Sequence, residues 1–409
     1  MAALKKVLFL LSGNISTTPR AQKVLELLEA RNISVDIVMF NRGEKWNNLD
    51  RQYLSTHNTN YLYLPFTKND NLIIRGISSL LNKICDAINC RTIETRAIAS
   101  SKINSTFRLC LNRISDNGYD FVYGFSSMLW PAYYIADKWG VPFAFDMEDY
   151  HPMENIYHSN KQIEKKRREQ MLIDLLPKAK FVTYAAPLIK AKSDECLSRH
   201  GLSTQQGKVI NNTFKTSDFH YTEYTGPKIQ FIWFSQTVSY ERGLEQILPA
   251  LTKYKDQIHL TIIGNMDNDF YNKVLRQYPD LLTIMPAMEQ KELHNELCKY
   301  DVGLAIELST QNKDNGNREL CLTNKIFSYM LAGLYIIATD TKAQGEFIHT
   351  HPSHGVISEQ TTEKMGIATE RIIHDIDVIR AQKRERFANA QKHGWETEQN
   401  KLIELLNTL

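Results

Sequence analysis

The sequence predicts an α/β protein built from two parallel-sheet halves in tandem. Two patterns carry this: short β-type apolar runs alternate with longer helical stretches, and the same alternation starts again after residue 227. The length of 409 residues suits two or three domains. With 43% apolar and 23% charged residues the chain is an ordinary globular mixture, too apolar for a disordered one. No period of about 20–50 residues repeats, which argues against solenoids and propellers.

In the first half, Lys6 to Leu11 reads as a buried strand and Pro19 to Ala30 as the helix after it. Val35 to Phe40 is the next strand, and Phe121 to Gly124 another, followed by a helix through Trp130 to Trp139. Val141 to Phe145 and Lys180 to Tyr184 follow. Strands this uniformly apolar belong to a parallel sheet covered on both faces. Tyr224 to Pro227 breaks the pattern, within a linker near 212–227. The second half then offers strands at Ile229 to Phe234, His259 to Ile263 (stopped by Gly264), Leu282 to Met285, Val302 to Ile306 and Tyr335 to Ala338, with a helix at Gly243 to Tyr254. The division expected is 1–215, 226–386 and a C-terminal helix at 387–409, within a helical stretch Ile376 to Leu409 long enough to return to the first half. Two Rossmann-like sheets would place a cleft at the carboxyl ends of their strands, where open α/β sheets bind ligands.

The segment Asn71 to Ser115 stands apart. It is helical by pattern and carries seven Lys/Arg (75, 83, 91, 96, 102, 108, 113) against Asp86 and Glu94. Ile73, Ile77, Leu80, Leu81, Ile84 and Ile88 form an apolar stripe. Two readings stand open: a membrane-surface face, or a helix packed on its own domain with a solvated basic side. The run Lys165-Lys166-Arg167-Arg168 carries the same ambiguity and also suits a phosphate-bearing acceptor.

Net charge is only +3, from 49 basic and 46 acidic side chains, so bulk charge does not drive nucleic-acid binding. The six cysteines are scattered without a CxxC and no HExxH occurs, which disfavours zinc and disulfides and suits a reducing, cytoplasmic compartment. The longest nearly apolar run, Met330 to Ala338, is about half a bilayer span. The opening residues lack the long apolar region of a signal peptide and read as a first strand.

Four places offer chemistry. Ser12-Gly13-Asn14 ends the first strand; Gly13 lets backbone approach a ligand, and the next helix start can hold an anion, with Arg20 adding positive charge. No GxGxxG follows, which argues against a nicotinamide dinucleotide. Asp146-Met147-Glu148-Asp149-Tyr150-His151 sets carboxylates and an imidazole after a central strand, where like charges raise one another's pKa and can keep a proton available near neutrality. Arg242, before Gly243 and a helix, suits a diphosphate. Last, Thr323 caps a helix that opens Asn324-Lys325 and stops at Gly333. The macrodipole disfavours a cation in a first turn, so Lys325 there suggests a bound anion such as a pyrophosphate.

These residues resemble the GT-B fold glycosyltransferases, in particular the retaining, family-4-like group of bacterial polysaccharide enzymes. The likeness is strongest over 230–345. It implies that Arg242 and Lys325, with Asn324, contact the donor diphosphate. It places Gly13 beside the transferred sugar and Asp146 to Asp149 toward the reaction centre, with Glu148 and Asp149 orienting acceptor or sugar. Asn14 and Gly264 complete the donor-side set. The implied reaction is front-face transfer with retention, in which the leaving phosphate helps deprotonate the acceptor hydroxyl. Two departures appear. The family's Glu-x7-Glu pair aligns with Leu320 and Ser328, leaving Glu319 and Glu307 as candidates for the first carboxylate. Gln236-Thr237 replaces a glycine-rich turn. The expected partners are a nucleotide-diphosphate sugar and a glycan or lipid-linked acceptor, with no nucleic acid, metal or resident cofactor. The alternatives are a nucleotide-sugar epimerase of the same architecture and a two-domain solute-binding protein.

Overall fold

The computed structural model describes residues 4–67, 70–88, 91–156, 158–308 and 316–409. The chain forms two compact units, one running to Ile210 and including Lys401–Leu409, the other Asn211–Asn400.

The first unit holds seven strands: β1 (Lys6–Leu11), β2 (Ser34–Phe40), β3 (Asn60–Leu64), β4 (Phe121–Phe125), β5 (Phe143–Met147), β6 (Phe181–Tyr184) and β7 (Gly207–Val209). They pair in parallel in the order β3-β2-β1-β4-β5-β6-β7. The order reverses between β1 and β4, so their carboxyl ends form the crevice where such sheets take ligands. Val7 to Leu11 are all buried, and Phe9, Tyr123 and Phe125 pack ring against ring across β1 and β4.

One boundary shift matters. β5 starts at Phe143, because Pro142 has no N–H for the ladder, and runs on to Met147. Asp146 therefore lies inside the sheet, paired with Phe125 and Thr183, rather than in the loop beyond it.

The second unit holds β8 (Ile229–Val238), β9 (Ile258–Met266), β10 (Leu282–Met285), β11 (Val302–Ala305), β12 (Tyr335–Thr339) and β13 (Gly355–Ser358), parallel in the order β10-β9-β8-β11-β12-β13. Phe231 and Trp233 join the core on one sheet face while Ile232 joins that on the other, as a period of two requires. β8 extends past Phe234 through an irregularity, so Gln236-Thr237 is strand rather than turn. The expected helix from Gly243 begins at Leu244, because Gly243 is left-handed (φ +88°) and serves as N-cap.

At this sheet's switch point, between β8 and β11, the Asn324–Leu331 helix is drawn onto the sheet. A Cβ on Gly303 would fall 2.3 Å from the Tyr329 ring, so only glycine permits the approach that sets the depth of Lys325. The C-terminal helical stretch is three helices, Ile376–Ala381, Lys383–Ala390 and Trp395–Leu406. Before the last, Gly394 passes so close to Thr216 that a Cβ would sit 2.3 Å from its methyl group. In the first unit, Asn407 accepts from Arg31 at 2.9 Å and Glu404 pairs with Lys208.

The Leu72–Ala87 helix faces opposite to a packed amphipathic helix. Ser78 and Cys85 are its buried residues. Ser78 shares a hydrogen bond with Thr106 (2.8 Å), and Asn82 donates to the carbonyls of Ile98 (2.7 Å) and Ala99 (3.0 Å). Ile73, Ile77, Leu80, Ile84 and Ile88 are exposed. Of the two readings open from sequence, the inward-packed apolar stripe is the one the fold overturns: Ser78, Asn82 and Cys85 take the packed side.

Candidate active site

In the first unit, the turn after β1 is fixed by a polar network. Asn14 is 1% exposed, and its side-chain amide donates to Asp50 and to Asn47. Asp50 also accepts from the Ser16 N–H and the Tyr63 hydroxyl, both at 2.9 Å. The Asn14 amide is thus committed to shaping the turn. Gly13 lies beside it with room to spare; a Cβ there would meet only the Thr17 hydroxyl, at 3.8 Å.

The positive charge expected from Arg20 is spent within the fold. Its guanidinium grips both oxygens of Asp146, at 2.7 and 2.6 Å, and donates to the Ile210 carbonyl at 2.6 Å. Burial opposes that charge, yet Asp146 holds the Arg20 pKa above its ordinary value. This pair ties the helix after β1 to β5 and removes Asp146 from the reactive carboxylates. Breaking one partner of such a buried pair typically costs about 3–5 kcal/mol.

Glu148 is different. It is half-buried past the end of β5, and its carboxyl is pushed up to about 7. Desolvation is the main cause; Arg20 pulls it back, while Asp149 and Asp146 push it further. The Ser126 hydroxyl donates to it at 3.4 Å. Ser126 sits in the left-handed region (φ 54°), a strained conformation for a serine. A carboxyl titrating near neutrality can exchange a proton with a sugar hydroxyl. Asp149 lies next to it, half-buried.

Beside these, Ser101, Ser127, His151, Glu154 and Arg168 line a cavity of about 110 Å³. Burial raises the Glu154 carboxyl, with Arg168 3.8 Å away. Arg168 also pairs with Glu164 (3.0 Å) and donates to the His151 carbonyl (2.8 Å), and Arg167 pairs with Asp86 at 2.6 Å. Half of the basic run at 165–168 therefore fastens its own helix. Ser126, Ser127 and Glu154 were not singled out in the sequence; the first shows itself only through its backbone angle.

In the second unit, the residues of interest gather at the carboxyl ends of β8 and β11. Arg242 is half-buried, and its guanidinium has no ion-pair or hydrogen-bond partner among the described residues. Gly243 is required twice over: its φ is positive, and a Cβ would lie 2.2 Å from Ile306. Gly264 is likewise structural, since its Cβ would meet the Ser235 carbonyl at 2.1 Å.

Lys325 is 9% exposed in the first turn of the Asn324–Leu331 helix. Its ammonium pairs with Glu307 at 2.7 Å and lies 5.6 Å from the centre of the Trp233 ring. Glu307 is pinned through its backbone, which both donates to and accepts from the Thr339 hydroxyl (2.9 and 2.8 Å). The cation that sequence reasoning balanced with a ligand is thus balanced within the fold by Glu307. Glu319 instead accepts from the Lys342 N–H at 3.0 Å, at the start of the next helix. Thr323 holds the N-cap position, but its side chain makes no cap hydrogen bond. The hydroxyls of Thr323 and Ser328 are buried with no hydrogen-bond partner among the described residues. Asn324, half-buried, opens the same first turn. A helix start whose N-cap Thr323 hydroxyl is unused, with Lys325 on it and Arg242 in the loop after β8, is equipped to receive an anion.

Among the described residues, no group of three or more His, Cys, Asp or Glu is placed to hold a metal, and the five described cysteines are free. No helix among them is long and apolar enough to cross a membrane.

No protein-family model matches the chain, and no curated protein is similar to it. Solved structures are similar over its whole length. Anabaena Alr3699/HepE in complex with UDP is 14% identical with a TM-score of 0.65, over 99% of this chain and 100% of that one. WaaG, a glycosyltransferase involved in lipopolysaccharide biosynthesis, is 10% identical with a TM-score of 0.60, over 98% and 99%. A putative UDP-N-acetylglucosamine 2-epimerase from Listeria monocytogenes is 10% identical with a TM-score of 0.56, over 100% and 97%. With its two parallel sheets of seven and six strands and this full-length likeness, the chain has the GT-B fold.

Proposed function

We propose that the protein is a glycosyltransferase that moves a sugar, of the hexosyl type, from a nucleotide-diphosphate sugar to a glycan or lipid-linked acceptor, with retention at the anomeric carbon. The observation that carries the reading is the uncapped helix start at Asn324, with Lys325 upon it and Arg242 in the neighbouring loop. Charge grows on the leaving diphosphate as the glycosidic bond breaks. Preplaced cations and amides stabilise that charge, usually the largest catalytic term. HepE, similar in fold, has been solved with UDP and with UDP-glucose, which supports a donor of that kind.

Gly13 lies beside the sugar, and Glu148 and Asp149 orient the acceptor hydroxyl, Glu148 poised to exchange its proton. The protein works in the cytoplasm, in polysaccharide biosynthesis, peripherally at a membrane surface contacted through the 71–115 segment. The donor is the substrate, and no metal or resident cofactor is needed.

Calorimetry with UDP, GDP, ADP and TDP tests the donor site directly. One of them binds, and Arg242→Ala and Lys325→Ala each lower turnover by about 10²-fold, as loss of one oxyanion-hole donor does. Uptake of none, or near-normal turnover in both variants, removes the assignment. A second reading, epimerisation of the nucleotide sugar, draws support from the Listeria likeness. It predicts a changed sugar with nucleotide retained and no acceptor required.

A further inference from the structure

Beyond the carboxyl ends of β2 and β3 the first unit holds a second cavity of about 330 Å³, with Arg42, Phe66, Arg75, Ser78, Lys102 and Thr106 among its walls. That is the size of a small ligand pocket, at the end of the sheet where open α/β folds take ligands. Arg42 stacks on Phe66, 4.2 Å from the ring centre, and donates to the Ser12 carbonyl. It is half-buried; burial holds its pKa below its ordinary value, and no carboxylate among the described residues pulls it back. The Arg75 guanidinium and the Lys102 ammonium have no ion-pair or hydrogen-bond partner among the described residues. At about 100° per residue, Arg75 lies roughly opposite the Ile73–Ile77–Leu80–Ile84 stripe of its helix, on the side of Ser78 and Asn82. It belongs to the cavity and not to the exposed apolar face. The acids nearest in sequence are engaged elsewhere: Glu44 with Arg51, Glu94 with Arg108, and Asp70 with Asn41 and the amides of Phe66 and Thr67.

A half-buried cation without a counter-charge is costly, and an incoming anion offsets that cost. Three cations around one space call for more than a single negative charge. A carboxylate brings one charge and two oxygens, which one guanidinium answers. A phosphoryl group brings up to about two charges and three acceptor oxygens, which guanidinium forks bind in bidentate fashion and an ammonium meets as a point charge. Two features tie the cavity to the candidate active site. Arg42 reaches the Ser12 carbonyl, next to Gly13. The segment Ser100 to Thr106 helps to wall both this cavity and that of His151 and Glu154.

We infer that the acceptor carries a phosphoryl group, as a phosphate or a pyrophosphate, and that Arg42, Arg75 and Lys102 hold it while the hydroxyl to be glycosylated lies toward Gly13 and Glu148. The pocket then selects among acceptors: phosphorylated ones are gathered and neutral glycans are not. The inference names the acceptor class of the proposed transfer and rests on that reading for its biological role; the anion site itself is tested without a sugar nucleotide.

The test is calorimetry of the full chain with glucose-6-phosphate, inorganic pyrophosphate and glucuronate. The two phosphoryl compounds bind and glucuronate, a carboxylate on the same sugar, does not. Binding of glucose-6-phosphate survives Arg242→Ala, which weakens the anion site of the second unit. Arg75→Ala/Lys102→Ala weakens it about 10²-fold, from roughly tenfold for each charged hydrogen bond lost. Arg75 and Lys102 are exposed and unpaired among the described residues, so this variant keeps the wild-type melting temperature. Tighter binding of glucose-6-phosphate than of pyrophosphate assigns the pocket to a phosphate borne on a sugar; the reverse order assigns it to the pyrophosphate that joins a glycan to its lipid. Uptake of neither phosphoryl compound, equal uptake of glucuronate, unchanged binding by the Arg75/Lys102 variant, or loss of binding in Arg242→Ala overturns the inference. A pocket that binds in a protein taking up no nucleoside diphosphate would leave this site standing and remove the proposed function; the converse result would do the reverse.

Discussion

Replacing Glu148 by glutamine offers the sharpest view of the carboxylate cluster. Its ordinary pKa of 4.5 is pushed up to about 7 in the folded protein, first by burial and then by Asp149 and Asp146 against the pull of Arg20. A raised carboxyl pKa means that the folded state prefers the protonated form, so ionisation costs stability. The cost is absent below pH 4.5, builds as pH rises, and is complete above about pH 7. At about 1.4 kcal/mol per pH unit the full penalty is about 3 kcal/mol, and screening of a half-buried group reduces it to about 1–3 kcal/mol. Glutamine keeps the shape, still accepts from Ser126 and never ionises. Glu148→Gln is therefore more stable than wild type near pH 8 by about 1–3 kcal/mol, and roughly three quarters of that gain disappears near pH 5. Urea unfolding at the two pH values measures it, and hydrogen exchange of the β5 amides confines the comparison to the first unit. An equal stability difference at both pH values would mean that Glu148 is solvated like any surface glutamate, and its role as a proton holder near neutrality would go with it.

Two glycines separate scaffold from site. Gly243→Ala puts a methyl group 2.2 Å from Ile306 at φ +88°, and should cost about 2–4 kcal/mol in thermal unfolding while weakening nucleotide uptake through displaced Arg242. Gly13→Ala meets nothing closer than 3.8 Å, so it should leave stability within about 0.5 kcal/mol of wild type and yet slow turnover, because the added methyl group projects where the sugar is proposed to lie. Unchanged turnover would move the sugar away from Gly13.

Most of the sheet framework was legible because its strands are unbroken apolar runs, and that pattern has few other solutions. β3, β7 and β13 were not read. Asn60–Leu64 alternates with half-exposed tyrosines, Gly207–Val209 is three residues long, and Gly355–Ser358 has little apolar weight. The candidate anion site was readable because its parts lie close in sequence: Arg242 with Gly243, and Thr323 through Gly333 around one helix. The carboxylate cluster was readable as composition but not as function. Arg20 and Asp146 stand 126 residues apart, and only the folded chain shows that they cancel. The orientation of the Leu72–Ala87 helix was illegible for another reason. Periodicity locates a stripe but not the side it faces, and here hydrogen bonds from Ser78 and Asn82 settled that choice.

The Glu307–Lys325 pair supplies the negative charge that the helix start lacks, which at first sight closes the proposed phosphate site. The geometry argues otherwise. An ammonium has three donors, and Glu307 Oε1, an ion-pair partner at 2.7 Å, makes no hydrogen bond with it, so none of the three is taken by that carboxylate. Glu307 is held by Thr339 through its own backbone, so it fixes the Lys325 ammonium against the Trp233 ring instead of following it about. Without that partner, a lysine in a first helical turn would be pushed away by the macrodipole and would swing toward solvent. The carboxylate lowers the net attraction for a diphosphate but removes the reorganisation that a free lysine would need when charge develops on the leaving group. Stabilisation that is in place beforehand is the form that lowers a barrier. On the proposed function, Glu307 is a positioning residue: its carboxylate would weaken ground-state binding of a diphosphate while keeping Lys325 where the transition state needs it.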